Sequence, residues 1–264
     1  MVNSIENWFI IIGLTNIILF IFSLLVFVPK TVFKTSLPDC FNIFFSNFKY
    51  LLIIFSVVII HLLEVNIIDS FTSTIIGVDF AHNFYLIENE IVYWFSQNWL
   101  PTLVIFFVVM YIAVYPFTLW FSPLYFLISD DKKALKFLAY GLLIIYLISL
   151  PFYLFFPVSN VYTYFGIQSA LESVIPGINK FFYSTTTYNN CFPSLHIAMT
   201  LLIAKSVSLT NNKKYTYFVY FCTISVIISV VYLAIHWIID IIGGIIIAFF
   251  AFYLQKNYIQ GEES

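Results

Sequence analysis

Two apolar runs meet at one histidine in the stretch YTYFVYFCTISVIISVVYLAIHWIIDIIGGIIIAFFAFYLQK, residues 215–256. The runs cover 215–235 and 237–256, and each has about the 20 residues that an α-helix needs to cross the hydrocarbon core of a bilayer. The stretch therefore predicts two transmembrane helices that are joined by a tight turn at Ile235-His236.

The rest of the chain repeats this pattern. The other apolar runs of spanning length lie near 8–28, 49–68, 99–128, 134–156 and 193–210. Of the 264 residues, 62% are hydrophobic, 21% aromatic and 9% charged, a composition typical of polytopic membrane proteins. We predict an all-α fold: one integral membrane helix bundle over 1–264, with about six to seven transmembrane helices.

The charged residues between the runs alternate in sign. Lysines dominate the first, third and fifth connections, while acidic residues dominate the second, near 69–98. Lysine-rich short loops remain on the cytoplasmic side of a membrane. We therefore expect 69–98 to form a cap on the outer, non-cytoplasmic face, where the long polar segment 157–192 also lies.

The basic residues restrict the possible partners. All 11 are lysines, and they form no basic patch, so nucleic acid is not an expected partner. Because the chain has no arginine, the planar two-pronged phosphate contact that arginine makes cannot occur here. Membrane lipids are the expected surroundings, and the oligomeric state stays open.

Ionisable residues within or beside apolar runs are costly and tend to be functional. His236 and Asp240 lie four residues apart, which would place them on one face of a helix, with the carboxylate holding one ring nitrogen and leaving the other free. Gly243-Gly244 would allow close helix packing behind Asp240. His61 and Glu64, three apart, predict a second polar pair, either structural or facing a substrate headgroup.

A second histidine follows Phe192-Pro193-Ser194-Leu195 as His196. Proline in the first turn of a helix leaves free backbone N–H groups that can bind an anion. Because the fifth and seventh runs begin at the same membrane face, we expect the two imidazoles to lie within reach of one phosphate group. These are the parts needed to transfer a phosphoryl group.

The same residues resemble the type-2 phosphatidic acid phosphatase superfamily, whose second motif is Pro-Ser-(Gly/Leu)-His and whose third ends His-x-x-x-Asp. The resemblance covers roughly 134–256, the expected catalytic core, and 1–133 would add further membrane helices and the cap. Phe192–His196 and Tyr232–Trp237 are similar to the branch that contains inositol phosphorylceramide synthases. The resemblance implies that His236 is the nucleophile, that Asp240 orients it and that His196 is the general acid.

The chain departs from the wider family where phosphate is bound. Ser229-Val230 occupies the place of a Ser-Arg pair, and the Lys and Arg-Pro of the first motif have no counterpart. Ser194, Lys180, Asn160 and Tyr162 are therefore our candidate substrate-binding residues.

We accordingly expect a lipid phosphate substrate and neither a metal nor a cofactor, since the resemblance implies metal independence and no acidic cluster suited to Mg²⁺ accompanies the motifs. The leading prediction is hydrolysis of a lipid phosphate or polyprenyl pyrophosphate through phosphohistidine. Transfer of a phospho-headgroup, such as inositol phosphate, between lipids is the first alternative. A membrane scaffold or transporter without catalytic activity is the second.

Overall fold

The chain is mainly helical in the part described by the computed structural model, residues 5–262, with side chains described for 8–256. Within that part there is no β-strand, only an isolated bridge between Val158 and Asn190. The helices are α1 (Ile5–Val26), α2 (Leu37–Leu63), α3 (Asp69–Ile76), α4 (Ala81–Glu88), α5 (Ile91–Gln97), α6 (Pro101–Val109), α7 (Tyr115–Ile128), α8 (Lys132–Phe155), α9 (Val161–Phe165), α10 (Ala170–Val174), α11 (Ile178–Phe182), α12 (Leu195–Ser208), α13 (Lys213–Tyr232) and α14 (Ile238–Glu262).

Six segments of the described residues are long and apolar enough to cross a membrane, and α12 is a seventh, shorter apolar helix. The predicted all-α membrane bundle of about six to seven helices is therefore confirmed. At about 1.5 Å per residue, the 14 residues of α12 span roughly 21 Å, less than the hydrocarbon core of about 30 Å. One end of α12 must consequently lie inside the bilayer.

Two of the long segments contain a turn of π-helix. Glu64–Ile68 joins α2 to α3, and Met110–Val114 joins α6 to α7. A π-turn inserts one residue into the helical ladder and is frequent at functional sites. The first turn carries Glu64 and the second carries Tyr111, and both side chains are buried.

The centre of the bundle is α12, which packs against α7, α8, α13 and α14. α1 lies at the periphery, and only 6% of its most apolar stretch is buried inside the bundle. Because α12, α13 and α14 run antiparallel in turn, the beginnings of α12 and α14 lie at the same end of the bundle. This connectivity positions the candidate site.

The lysine-bearing connections lie at the opposite end. The Asn212 side chain, just before α13, donates to the Phe27 carbonyl at 2.6 Å and to the Tyr125 hydroxyl at 3.0 Å. These bonds bring the end of α1, the end of α7 and the start of α13 together. Lys30, Lys132 and Lys213 belong to the connections at this end.

Short helices cover the histidine end of the bundle in two groups, α3–α5 and α9–α11. Asp79 accepts hydrogen bonds from the backbone N–H of Ser159 at 3.1 Å and from its hydroxyl. The Phe80 N–H donates to the Pro157 carbonyl at 2.9 Å. The segments 69–98 and 157–192 therefore join in one layer against the start of α14.

Candidate active site

His236 lies in the turn between α13 and α14 and not on a helix, so the expected shared helix face with Asp240 is wrong. The turn is sharp because Ala234 adopts a left-handed conformation, with φ of 55°. This conformation costs an L-residue roughly 1–2 kcal/mol, and strain of this kind clusters at functional sites. α14 begins only at Ile238, which places Asp240 in its first turn.

Asp240 nevertheless reaches His236 because its side chain folds back over the start of α14. Its Oδ2 accepts from the Trp237 N–H at 2.9 Å and lies 3.3 Å from Nδ1 of His236. Asp240 is fully buried, and His236 is 4% exposed. A carboxylate can only accept, so the bond places a proton on Nδ1 and leaves the lone pair on Nε2.

Glu88, at the end of α4, also stabilises the start of α14. Its two carboxylate oxygens accept from the N–H groups of Ile238 and Ile239, at 2.9 and 2.6 Å. Burial raises the pKa of the Glu88 carboxyl, and the two N–H groups oppose that rise. A helix of the cap thus provides the N-terminal cap of the helix that carries Asp240, a role that sequence reasoning missed.

His196 lies in the first turn of α12 and keeps partial exposure. Pro193 precedes this helix, so its expected place in the first turn is wrong. Ser194 is the N-cap, and its side chain accepts from the Ile197 N–H at 3.5 Å. The N–H groups of Leu195 and His196 have no acceptor among the described residues, as is normal for a first turn, and are available to an anion.

The starts of α12 and α14 approach each other closely. The Ser194 N–H donates to the Asp240 carbonyl at 3.0 Å. A Cβ on Gly244 would lie 2.5 Å from the Ser194 carbonyl oxygen, and one on Gly243 would lie 2.6 Å from the Phe192 ring. The expected close packing at Gly243-Gly244 is therefore confirmed, and it holds the two histidine-bearing segments together.

The two imidazoles are in direct contact, as expected because α12 and α14 begin at the same end of the bundle. Nε2 of His236 lies 3.3 Å from Nδ1 of His196. This separation leaves no room for a phosphorus atom between the two nitrogens, so a phosphate group enters only if one ring turns. Partial exposure makes His196 the ring that a substrate meets first.

Tyr111 extends this chain of contacts, and sequence reasoning missed it. Its hydroxyl lies 2.9 Å from Nε2 of His196. Tyr115, one turn further on, places its ring 5.3 Å from that of His196, and its buried hydroxyl has no partner among the described residues. Both tyrosines belong to or adjoin the π-turn Met110–Val114.

Three of the candidate substrate-binding residues lie in the segment 157–192. Asn160 caps α9, where it accepts from the Thr163 N–H at 2.9 Å, and it donates to the Tyr183 hydroxyl at 3.0 Å. The Tyr162 hydroxyl donates to the Leu233 carbonyl in the turn before His236. Lys180 is exposed on α11 and makes no hydrogen bond or ion pair with the described residues.

One group of side chains here has the composition of a metal site. Cys191, His236 and Asp240 are buried, with potential ligand atoms within 4.8 Å of one another. Asp240 Oδ2 already accepts hydrogen bonds from His236 and from the Trp237 N–H. A metal ion between His236 Nδ1 and Asp240 Oδ2 would have to replace the proton of their hydrogen bond, so the present arrangement is that of an oriented imidazole.

Comparison with known protein families gives a match over most of the chain. A sequence model of the PAP2 superfamily, the type-2 phosphatidic acid phosphatases, matches residues 78–254. The match includes both histidine motifs, and it also reaches back to Glu88 and Tyr111. No curated protein and no solved structure matches the chain.

Proposed function

This chain belongs to the PAP2 superfamily of membrane phosphatases and phosphotransferases, and we propose that it hydrolyses a lipid phosphate or polyprenyl pyrophosphate through a phosphohistidine intermediate. The observation that carries the proposal is the continuous chain of contacts from Asp240 through His236 and His196 to Tyr111. The superfamily alone supports only the general kind of chemistry.

The chain of contacts supports His236 as the nucleophile. Asp240 fixes the proton on Nδ1, so Nε2 carries the lone pair that attacks phosphorus. The new N–P bond forms as the bond from phosphorus to the leaving oxygen breaks, and protonated His196 gives that oxygen its proton. Water then attacks the phosphohistidine, with His196 taking a proton from the water, and phosphate leaves.

Neutral donors offset the absence of arginine. Three equatorial oxygens of the phosphoryl group gain negative charge in the transition state. Three neutral donors are available for these oxygens: the N–H groups of Leu195 and His196, and the unpartnered hydroxyl of Tyr115. Ser194, Asn160 and Tyr162, our candidate substrate-binding residues, also hold the surrounding turns in place. Lys180 would need its exposed side chain to swing over the site.

An alcohol is the alternative acceptor, and it would make the protein a phosphotransferase of the inositol phosphorylceramide synthase type. This alternative is favoured by the similarity of Phe192–His196, and of the residues from Tyr232 to Trp237, to the synthase branch. A scaffold or transporter without activity would leave the aligned Asp240, His236 and His196 unexplained.

A screen of purified protein separates these functions. We expect phosphate release from a phosphatidic acid or a polyprenyl pyrophosphate in mixed micelles. A phosphotransferase would instead move the headgroup to an added polyol or ceramide, with little free phosphate. No turnover of any of these substrates would favour the scaffold alternative.

We further propose that the site opens to the outer, non-cytoplasmic face. The lysine-bearing connections lie at the opposite end of the bundle, which the positive-inside rule assigns to the cytoplasm. A reporter inserted after residue 213 should be cytoplasmic, and one inserted within 160–190 should be outside. Finding both reporters on one side would overturn this orientation.

Tyr111→Phe should lower kcat roughly 10- to 100-fold with little change in KM. The Tyr111 hydroxyl can donate a hydrogen bond to Nε2 of neutral His196, and it can accept one from Nε2–H when the ring is charged. It therefore bonds to both charge states of His196, whereas phenylalanine bonds to neither. The substitution should therefore change the pH dependence of kcat as well as its magnitude. Tyr93→Phe, whose ring stacks on Phe165 away from the histidines, is the matched control. An unchanged pH profile in Tyr111→Phe would contradict the positioning role.

A further inference from the structure

A second cluster of buried polar groups lies between α2, α8 and the segment that leads to Pro193. Glu64, in the π-turn after α2, is fully buried. His61 lies one turn earlier, with Nδ1 3.8 Å from Glu64 Oε2, and Asn190 contacts the other oxygen of Glu64. The ring of Tyr146 on α8 lies 5.8 Å from that of His61.

The hydrogen bonds of the cluster determine which atoms are acceptors. Nε2 of His61 lies 3.1 Å from the Thr185 carbonyl, which can only accept, so Nε2 carries the proton and Nδ1 of the neutral ring carries a lone pair. The Asn190 amide nitrogen donates to Glu64 Oε1 at 2.6 Å, which leaves Oδ1 of Asn190 as an acceptor.

Three acceptor atoms are consequently left without a donor. His61 Nδ1, Glu64 Oε2 and Asn190 Oδ1 are all buried and unpartnered among the described residues, and so is the Tyr146 hydroxyl. Two of these acceptors, His61 Nδ1 and Glu64 Oε2, lie 3.8 Å apart. Buried acceptors in apolar surroundings require a donor or a positive charge beside them.

We propose that His61, Glu64 and Asn190 bind a divalent metal ion. An imidazole nitrogen with carboxylate and amide oxygens is a ligand set for Zn²⁺ or Mn²⁺. The 3.8 Å between Nδ1 and Oε2 is spanned by two metal–ligand bonds of about 2.1 Å each. The Tyr146 hydroxyl, which is buried without a partner among the described residues, is the candidate for a fourth ligand.

Such an ion would fasten α2 to the segment that precedes the His196 motif. Other bonds already follow the same path: Asn66 donates to the Ser184 carbonyl at 3.4 Å, and Asn189 donates to the Ser73 hydroxyl at 2.7 Å. The ion would be structural, because its ligands are distinct from the chain of contacts between Asp240 and Tyr111. Binding of the ion can be measured without assuming that the protein catalyses any reaction.

The test uses the full chain in detergent, stripped with a chelator and then given ZnCl₂ or MnCl₂ alone. We expect one tightly held metal ion per chain after desalting, and an unfolding midpoint about 5 °C higher at saturation. His61→Gln and Glu64→Gln should lose both effects. His82→Ala, at a histidine that instead contacts the Tyr164 hydroxyl, is the matched control and should keep both.

Asn190→Asp separates metal binding from simple hydrogen bonding. A second carboxylate among the ligands should destabilise the metal-free protein and tighten metal binding at least tenfold. The proposal is wrong if neither ion binds or shifts the midpoint, which would leave a proton or a water molecule between the acceptors. It is equally wrong if His61→Gln, whose side chain is partly exposed in the native protein and should permit folding, retains the metal.

Discussion

His236→Ala is expected to abolish turnover, with a loss of at least about 10⁴-fold in kcat, and to remove the covalent phosphoenzyme completely. Nε2 of this ring is the atom that Asp240 leaves free to attack phosphorus, and alanine has no substitute for it. Since Asp240 also accepts from the Trp237 N–H at 2.9 Å, the start of α14 should keep its structure.

Rapid quenching with radiolabelled substrate measures the phosphoenzyme, because phosphohistidine is labile to acid and stable to base. His82→Ala is the control, since it removes a histidine outside the chain of contacts and should leave phosphoenzyme formation intact. If His236→Ala still formed phosphoenzyme while His196→Ala did not, the nucleophile would be His196 and the roles proposed here would be reversed.

The sequence alone predicted the membrane bundle and the meeting of the two histidines. Apolar runs of spanning length leave little choice of fold, because every backbone polar group in a bilayer must be satisfied within a helix. Successive helices cross the membrane in opposite directions, so the fifth and seventh helices begin at the same end of the bundle. His196 and His236 lie 40 positions apart in sequence and 3.3 Å apart in space for this reason.

The local geometry of His236 could not be predicted in the same way. A spacing of four residues is compatible with a helix face, but it is equally compatible with a first-turn carboxylate that folds back over the N-terminus of its helix. The second arrangement depends on the left-handed Ala234, a conformation that no residue pattern indicates for alanine. Glu88, which caps α14 from a separate helix, lies 150 positions away from Ile238.

Tyr111 was missed because nothing distinguishes it from the other tyrosines of the chain. The chain has 19 of them, and in membrane helices most are expected at the interfaces. Its contact with His196 joins residues 85 positions apart and depends on the π-turn Met110–Val114, which changes the face that the helix presents. The roles of Ser194, Lys180, Asn160 and Tyr162 in substrate binding remain predictions.

Asp240→Asn should lower kcat by about 10³- to 10⁴-fold while leaving the protein folded. Both hydrogen bonds of the carboxylate go to Oδ2, so an amide oxygen in that position keeps the contacts with His236 and Trp237. The substitution chiefly removes the negative charge that offsets the positive charge on His236 as its bond to phosphorus forms. The loss should therefore appear in kcat more than in KM, which steady-state kinetics with a matched thermal unfolding curve will measure.

His196→Ala provides the contrast that tests this division of roles. It removes the proton donor to the leaving oxygen and also the base that takes a proton from the attacking water. Only the first loss depends on the leaving group, so the rate of phosphoenzyme formation should fall less on a pyrophosphate, a better leaving group, than on a lipid monophosphate. Asp240→Asn should instead slow both substrates by a similar factor, because formation of the N–P bond is common to both. A near-normal rate in Asp240→Asn, together with an equal loss on every substrate in His196→Ala, would show that the carboxylate does not support the nucleophile and that His196 attacks phosphorus.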